Sequence, residues 1–404
     1  MKEYKVKDIR NIMLCGHGGV GKTTLAEAML FNSGARTRLG RVDEGSSAMD
    51  YSPLEIERKI TVSLSVGHFT WSDIFVNILD TPGYADFRGE VISAASVSDG
   101  AIILIDSNSG VEVGSEWVWE LTKEYSIPSV IFVNGLKKEN AQFFNVIKEI
   151  KEVFKLGIVP LTIPIGGGEN FTGVVNLLTK KAFIYKDGKS QGIEVPDNEK
   201  KRVDEMSKNL VEGLVETDED LMERYLADEE IKEEELASIL KKGVVNGELH
   251  PVLCGDAYHN IGMDTLLKSI AQLLPSPEER QEVNVTERGR ERILKINEPF
   301  ASLVFKTIFE PHLGELNYIR VFSGELTPGI EVLNTTKGTT EKVNQIYLLN
   351  GKEREEAKKL LPGSICALVK LKSTKTGDTL TLKGNNITLP SIKFPKPSIS
   401  IAIV

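Results

Sequence analysis

The residues with the clearest chemical content are nine in a row, Gly16-His17-Gly18-Gly19-Val20-Gly21-Lys22-Thr23-Thr24, a full G-x-x-x-x-G-K-[ST] match. Glycines at that spacing let backbone N–H groups close around an anion at the start of a helix. Lys22 would reach the β- and γ-phosphates of a nucleotide, and the Thr23 hydroxyl would ligate Mg²⁺. A second candidate is Asp80-Thr81-Pro82-Gly83, where the Asp80 carboxylate would hold Mg²⁺ through water and the Gly83 N–H would meet a γ-phosphate. The third is Thr61, at the end of Glu57-Arg58-Lys59-Ile60-Thr61, as a second Mg²⁺ ligand. It lies in a long stretch of weak periodicity from Gly34 onward, which reads as a mobile segment that a γ-phosphate would order.

These groups need elements to hold them. Ile9 to Cys15, with Ile12, Met13 and Leu14, reads as a buried strand, and Leu25, Met29 and Leu30 then recur at helical spacing. The glycine loop therefore sits at a strand-to-helix turn, the context its chemistry requires. Phe75-Val76-Asn77-Ile78-Leu79 is a strand that delivers Asp80 to the same face. Thr61–Trp71 and Ile74–Asp80, broken by Ser72-Asp73, predict a hairpin with an antiparallel edge. Further strands are expected at Ala101–Asp106, Ser129–Asn134 and Pro251–Gly255. Open α/β sheets bind ligands at the carboxyl ends of such strands.

From Ile9 to about Leu274 strands alternate with helical segments, which predicts a largely parallel sheet covered by helices. The alternation breaks between Gly157 and Gly247. Strand-like pieces there (Val159–Ile165, Gly173–Asn176, Ala182–Tyr185) precede a helical stripe of Val203, Met206, Leu210 and Leu214, read as packing on the insertion's own sheet, and an acidic helix near Glu233–Lys241. Pro275-Ser276-Pro277 marks a boundary. Beyond it, short β-rich runs (Phe300–Phe309, Asn317–Phe322, Ile330–Asn334, Lys342–Leu349, Ser364–Val369, Thr379–Leu382) predict an all-β barrel. The expected fold is thus an α/β P-loop domain (residues 1–156 and 248–280) with an inserted α+β subdomain (157–247), followed by an all-β barrel domain (281–392). A fresh alternation, Ile399, Ile401, Ile403, reads as the start of a further domain (393–404).

The 404 residues carry a formal charge of −9 and are 41% hydrophobic. That charge argues against general nucleic-acid binding, which Lys and Arg drive by neutralising phosphates. No apolar run approaches a membrane span, and Met1 to Lys5 has no signal-like core. Cys15, Cys254 and Cys366 lie far apart in strand-like runs, as buried thiols of a cytoplasmic protein would, and the five histidines show no ligand spacing. The acid-rich stretch Glu216–Glu235 and the mixed stretch Arg280–Lys295 read as solvated faces.

With these pieces assembled, the chain resembles the front of elongation factor G, a translational GTPase of the bacterial ribosome. The likeness rests on the phosphate loop, Glu44-Gly45, Met49-Asp50, Asp80-Thr81-Pro82-Gly83, Asp99-Gly100-Ala101, Gly110-Val111-Glu112 and Leu274-Pro275-Ser276-Pro277. It continues through Arg320-Val321-Phe322-Ser323-Gly324, Asn334-Thr335-Thr336-Lys337-Gly338 and Thr376-Gly377-Asp378-Thr379-Leu380. The resemblance implies GTP/GDP with Mg²⁺, the ribosome as partner, a monomer, and three later domains that lie beyond this sequence.

Three departures qualify what it implies. Where the family's Asn-Lys-x-Asp grips guanine, this chain has Asn134-Gly135-Leu136-Lys137. Lys137 is a donor only and Gly135 has no stem, so two charge-assisted bonds of ~1.5–3 kcal/mol each are missing and weak guanine preference is expected. In the companion loop Gly255-Asp256-Ala257, the Ala257 N–H remains a donor to a base carbonyl, and Asp256 is a weaker candidate for the replacement carboxylate. Tyr84 stands where the family carries the His that positions the attacking water; its phenol does not titrate near neutral pH, so slow hydrolysis is expected. Lys59 replaces the family's Gly beside Thr61. The leading reading is a nucleotide-switched translation factor in which Lys22, Thr61 and Tyr84 are the catalytic candidates. The rivals are a degenerate regulatory module and a P-loop enzyme for another purine nucleotide.

Overall fold

A computed structural model describes residues 4–155, 157–186, 188–229, 231–280, 283–310 and 313–396. The apolar alternation at Ile399, Ile401 and Ile403 lies outside them. The chain opens with β1 (Ile9–Gly16), buried along its whole length, then α1 (Lys22–Asn32) and a short α2 (Pro53–Arg58). The hairpin follows as β2 (Ser65–Trp71) and β3 (Ile74–Asp80), turned at Ser72 with φ +55°, and then come α3 (Arg88–Ala95), β4 (Gly100–Asp106), α4 (Val113–Glu124), β5 (Ser129–Asn134), α5 (Phe143–Phe154) and β6 (Ile158–Pro160). β6 is short but belongs to the large sheet, although sequence places it inside the insertion.

The insertion proper supplies β7 (Thr162–Ile165), β8 (Gly173–Asn176), β9 (Lys181–Lys186) and β10 (Lys189–Ile193), an antiparallel sheet in the order β10-β9-β8-β7. It adds α6 (Asp197–Val215), α7 (Glu219–Leu226) and α8 (Glu233–Val245). The acidic run around Glu219 thus forms a helix, capped by the Asp218 side chain. The stripe of Val203, Met206, Leu210 and Leu214 packs chiefly against α7, α8 and β6 rather than on the insertion's own sheet. β11 (His250–Cys254) and α9 (Met263–Leu273) complete a seven-stranded sheet in the order β2-β3-β1-β4-β5-β11-β6. Only β2 runs antiparallel, as the hairpin requires.

The all-β unit begins with β12 (Val283–Glu287) and β13 (Arg290–Leu294), so the mixed-charge run is a hairpin. It continues with β14 (Ala301–Glu310), β15 (Gly314–Ser323), β16 (Glu331–Asn334), β17 (Thr339–Lys342), β18 (Ile346–Asn350), β19 (Glu353–Glu356), β20 (Ile365–Val369), β21 (Thr379–Leu382) and β22 (Ile387–Thr388). Eight of these form one sheet around a core of its own that includes Phe300, Val304, Ile319, Val321 and Leu368. Its other face joins the core of the first domain through Leu303, Phe305 and Tyr318.

The two units meet through specific polar contacts. Gly351 N–H donates to Val66 O at 2.8 Å, and the Asn350 side chain bonds both the N–H and the C=O of His68. Buried Arg320 pairs with Asp99 at 2.5 Å, while Asn11 bridges Asp99 and Gly363 O. All three cysteines are free and buried, and burial pushes the thiols of Cys15 and Cys254 up to about 12. Among the described residues no helix is long and apolar enough to cross a membrane.

Candidate functional site

The parallel register sets Leu14 of β1 beside Asp80 of β3, so the phosphate loop and Asp80-Thr81-Pro82-Gly83 emerge together at the carboxyl edge of the sheet. Thr81 Oγ1 ties the two by donating to Leu14 O at 2.6 Å. Gly21 caps α1 with φ +93°, and a Cβ there would stand 2.5 Å from Asn134 Nδ2, so both conformation and space demand glycine. Lys22 Nζ folds back onto Gly16 O (3.1 Å) and His17 O (2.7 Å). Gly83 lies so close to it that a Cβ would collide with the ammonium, which places the Gly83 backbone beside Lys22 as the γ-phosphate role needs. The His17 ring turns away from this cleft: Nδ1 accepts from Gly114 N–H and Nε2 faces Glu112.

Beside Lys22 the Thr23 hydroxyl meets the Thr61 hydroxyl at 2.8 Å. Asp80 is fully buried, and neither of its carboxylate oxygens nor either of those of Asp50 has a hydrogen-bond partner. Burial raises the Asp80 carboxyl well above the usual range, pushes Asp50 up to about 6, and lowers Lys22 to about 8. Buried carboxylates without partners are costly unless a cation compensates them. The Thr23 and Thr61 hydroxyls and the Asp50 carboxylate line one 240 Å³ cleft with Gly18, Gly21, Lys59 and Ile60, and Asp80 is buried behind it; these are hard oxygen donors, the set Mg²⁺ prefers. The residues therefore fit the metal. Sequence reasoning did not assign Asp50 a role; Met49-Asp50 was visible only as part of the family likeness.

The segment that carries Thr61 is more structured than its weak periodicity suggests. Ser52-Pro53-Leu54-Glu55 forms a capping box that starts α2. The Glu55 carboxylate also accepts from Val62 N–H (3.1 Å) and Ser63 N–H (3.2 Å), which fixes the backbone just beyond Thr61. Upstream, Glu27 of α1 accepts from Ser47, Ala48 and Met49 and so seats Asp50. Lys59, at the end of α2, takes φ +55°, a left-handed conformation that glycine would adopt without strain.

Tyr84 leans over the phosphate loop. A Cβ on Gly18 would lie 3.2 Å from Tyr84 Cζ, so the hydroxyl end of the ring roofs the cleft while 47% of the residue stays exposed. Its other face borders a mainly apolar cleft of about 300 Å³ with Pro82, Val113 and Trp117.

The expected base end is an adjoining cleft of about 310 Å³ lined by Gly19–Gly21, Thr24, Asn134, Gly135, Lys138, Asp256, Tyr258 and His259. Asn134 ties three loops together, donating to Val20 O (2.8 Å) and accepting from Ala257 N–H (2.9 Å). Asp256 is buried and committed: one oxygen accepts from Lys137 N–H, the other from His259 N–H and faces its ring. Both of its oxygens are thus already engaged by protein donors. The stem of Lys138 fills the space beside Gly135, and its ammonium pairs with Asp106. Leu136 is buried beneath the loop. Among these residues no carboxylate is left unpaired to face guanine.

A glycine cradle on a strand-to-helix turn, with a lysine, two hydroxyls and two buried carboxylates at the carboxyl edge of a parallel sheet, defines a P-loop nucleotide-binding domain, here joined to an all-β unit. Residues 7–276 match the elongation factor Tu GTP binding domain, and residues 299–383 match elongation factor G domain 2. The chain belongs to this family of translational GTPases, as an elongation factor G-like member. It is similar to a protein of Thermus thermophilus seen in a crystal structure, with 30% identity and a TM-score of 0.86 over 97% of this chain. The match spans 57% of that protein's length.

Proposed function

We propose that the chain binds a Mg²⁺–nucleoside di- or triphosphate and acts as a nucleotide-switched translation factor that engages the ribosome in the cytoplasm, as a monomer. The observation that carries the nucleotide reading is the pair of unpartnered buried carboxylates, Asp50 and Asp80, beside the Thr23–Thr61 hydroxyl pair and Lys22. Thr23 and Thr61 would hold Mg²⁺, and Asp50 and Asp80 would accept from its waters. Lys22 would neutralise the β- and γ-phosphate oxygens, while the loop N–H groups and Gly83 fix their orientation. Bound Mg²⁺ supplies charge neutralisation at the transferring phosphoryl group. Tyr84 would position a water through its hydroxyl in place of an imidazole, and slow turnover by the chain alone is expected.

A second reading, nucleotide binding with weak guanine preference and little hydrolysis, draws support from the base cleft, where Asp256 and Asp106 are both spent on protein donors. Titration calorimetry with GDP, ADP, XDP and IDP, each with Mg²⁺ and with EDTA, tests both readings. Binding that needs Mg²⁺ is expected; binding indifferent to the chelator would remove the metal site. A GDP preference of several powers of ten would remove the second reading.

A further inference from the structure

Lys306 is the one lysine in the apolar run Phe300–Phe309, and strict alternation would send it, with Val304, into the core of the all-β unit. A bulge prevents this. In the β14–β15 ladder Val304 faces Ile319 and Lys306 faces Tyr318, so Phe305 is an extra residue with no partner of its own. An extra residue flips the side chains that follow it to the opposite face. Lys306 therefore points at the nucleotide domain, where its side chain is only 8% exposed.

There it meets both segments that flank the phosphate site. Its ammonium donates to Ser63 Oγ and Leu64 O, each at 2.5 Å, and to Glu90 Oε2 at 2.9 Å. The same Glu90 oxygen accepts from Leu64 N–H at 2.6 Å. Ser63 and Leu64 follow Thr61 by two and three residues, and Glu90 sits in α3, which one short turn (Ala85–Phe87) joins to the Asp80–Tyr84 segment. A buried ammonium with three acceptors is strongly held, and removing it leaves Glu90 with only the neutral donors Leu64 N–H and Ser63 Oγ.

From this geometry we infer that Lys306 is a positioning residue for the γ-phosphate response: it locks the Thr61 segment and α3 to the all-β unit in the arrangement that lets Thr61 reach a metal on a triphosphate. This rests on the nucleotide reading above. A diphosphate, held by the glycine loop and Lys22, does not draw on the lock. A triphosphate does, because Thr61 must stand beside Thr23.

The test is the ratio of affinities for GTPγS and GDP, both with Mg²⁺, measured by calorimetry on the full chain for wild type, Lys306→Met, Glu90→Gln and Thr61→Ala. Lys306→Met and Glu90→Gln should lower GTPγS affinity about tenfold, the worth of one charge-assisted bond, and leave GDP affinity within about twofold. Lys306→Arg should restore part of the ratio, and hydrogen exchange at residues 61–64 should quicken in Lys306→Met. Equal losses for both nucleotides, or an unchanged ratio while Thr61→Ala lowers it, would overturn the role of Lys306 and leave the nucleotide reading standing. No nucleotide binding by wild type would overturn both. Should Lys306→Met fail to fold, Glu90→Gln gives the same readout.

Discussion

The Thr23 and Thr61 hydroxyls stand 2.8 Å apart although 38 residues separate them in sequence. Thr23 is fixed by the first turn of α1 and Thr61 by the Glu55 carboxylate, which already accepts from the next two N–H groups. Two rigid supports thus hold both candidate metal ligands before any ligand is considered.

Lys22→Ala should abolish nucleoside diphosphate binding, since it removes the buried ammonium that faces the phosphate cleft. Calorimetric titration of GDP with Mg²⁺ reads this. Unchanged affinity would mean that the glycine loop is not the phosphate site.

Lys137→Asp should raise GDP affinity relative to ADP by at least about tenfold, because one charge-assisted bond to guanine is worth ~1.5 kcal/mol or more. The change at 137 alone is the cleaner test. A side chain at Gly135 would meet φ +81° and the stem of Lys138. Competition between the two diphosphates gives the ratio, and no gain would show that the base cleft is closed to a carboxylate at this position.

Tyr84→His should speed single-turnover GTP hydrolysis, with or without ribosomes, since the ring already overhangs Gly18 and imidazole titrates near neutral pH. Wild-type turnover of several per second would instead make the phenol competent as it stands.

His250 is buried against Ser129 and the edge of Trp119, and burial lowers its ring from 6.5 to about 4. A depressed folded pKa means that the unfolded chain takes up the proton first, so stability is full above pH 6.5 and is lost as pH falls from 6.5 towards 4. The loss amounts to at most about 3 kcal/mol. Denaturant melts from pH 7 to 4 should show His250→Phe with a flatter acid limb than wild type; an identical limb would remove His250 as the cause.

The phosphate end of the site was legible because its chemistry is local: Gly16 to Thr24 and Asp80 to Gly83 each carry loop and ligands in one short run. The long strands were legible for the same reason, as in Ser129–Asn134, whose bounds agree with the sequence reading. Asp50 was not, because its role depends on Glu27 seating the loop from across α1. Lys306 was hidden more deeply. Its orientation follows from one unpaired residue in a ladder, and a bulge leaves no mark in an apolar run. The commitment of Asp256 to Lys137 and His259 is likewise a tertiary fact, which a three-residue loop motif cannot express.

The contacts of Asn350 and Gly351 with β2 also bear on how the chain could be divided. β2 is the terminal strand of the seven-stranded sheet, and Val66 O, His68 N–H and His68 O are its outward-facing groups. Strand rims left bare recruit other chains and seed aggregates. Cutting at Pro275–Pro277 to free the nucleotide domain would bare this rim, together with the Asp99 carboxylate that Arg320 neutralises. The all-β unit therefore doubles as a built-in shield, and a nucleotide-domain fragment would lose solubility before it lost its phosphate loop.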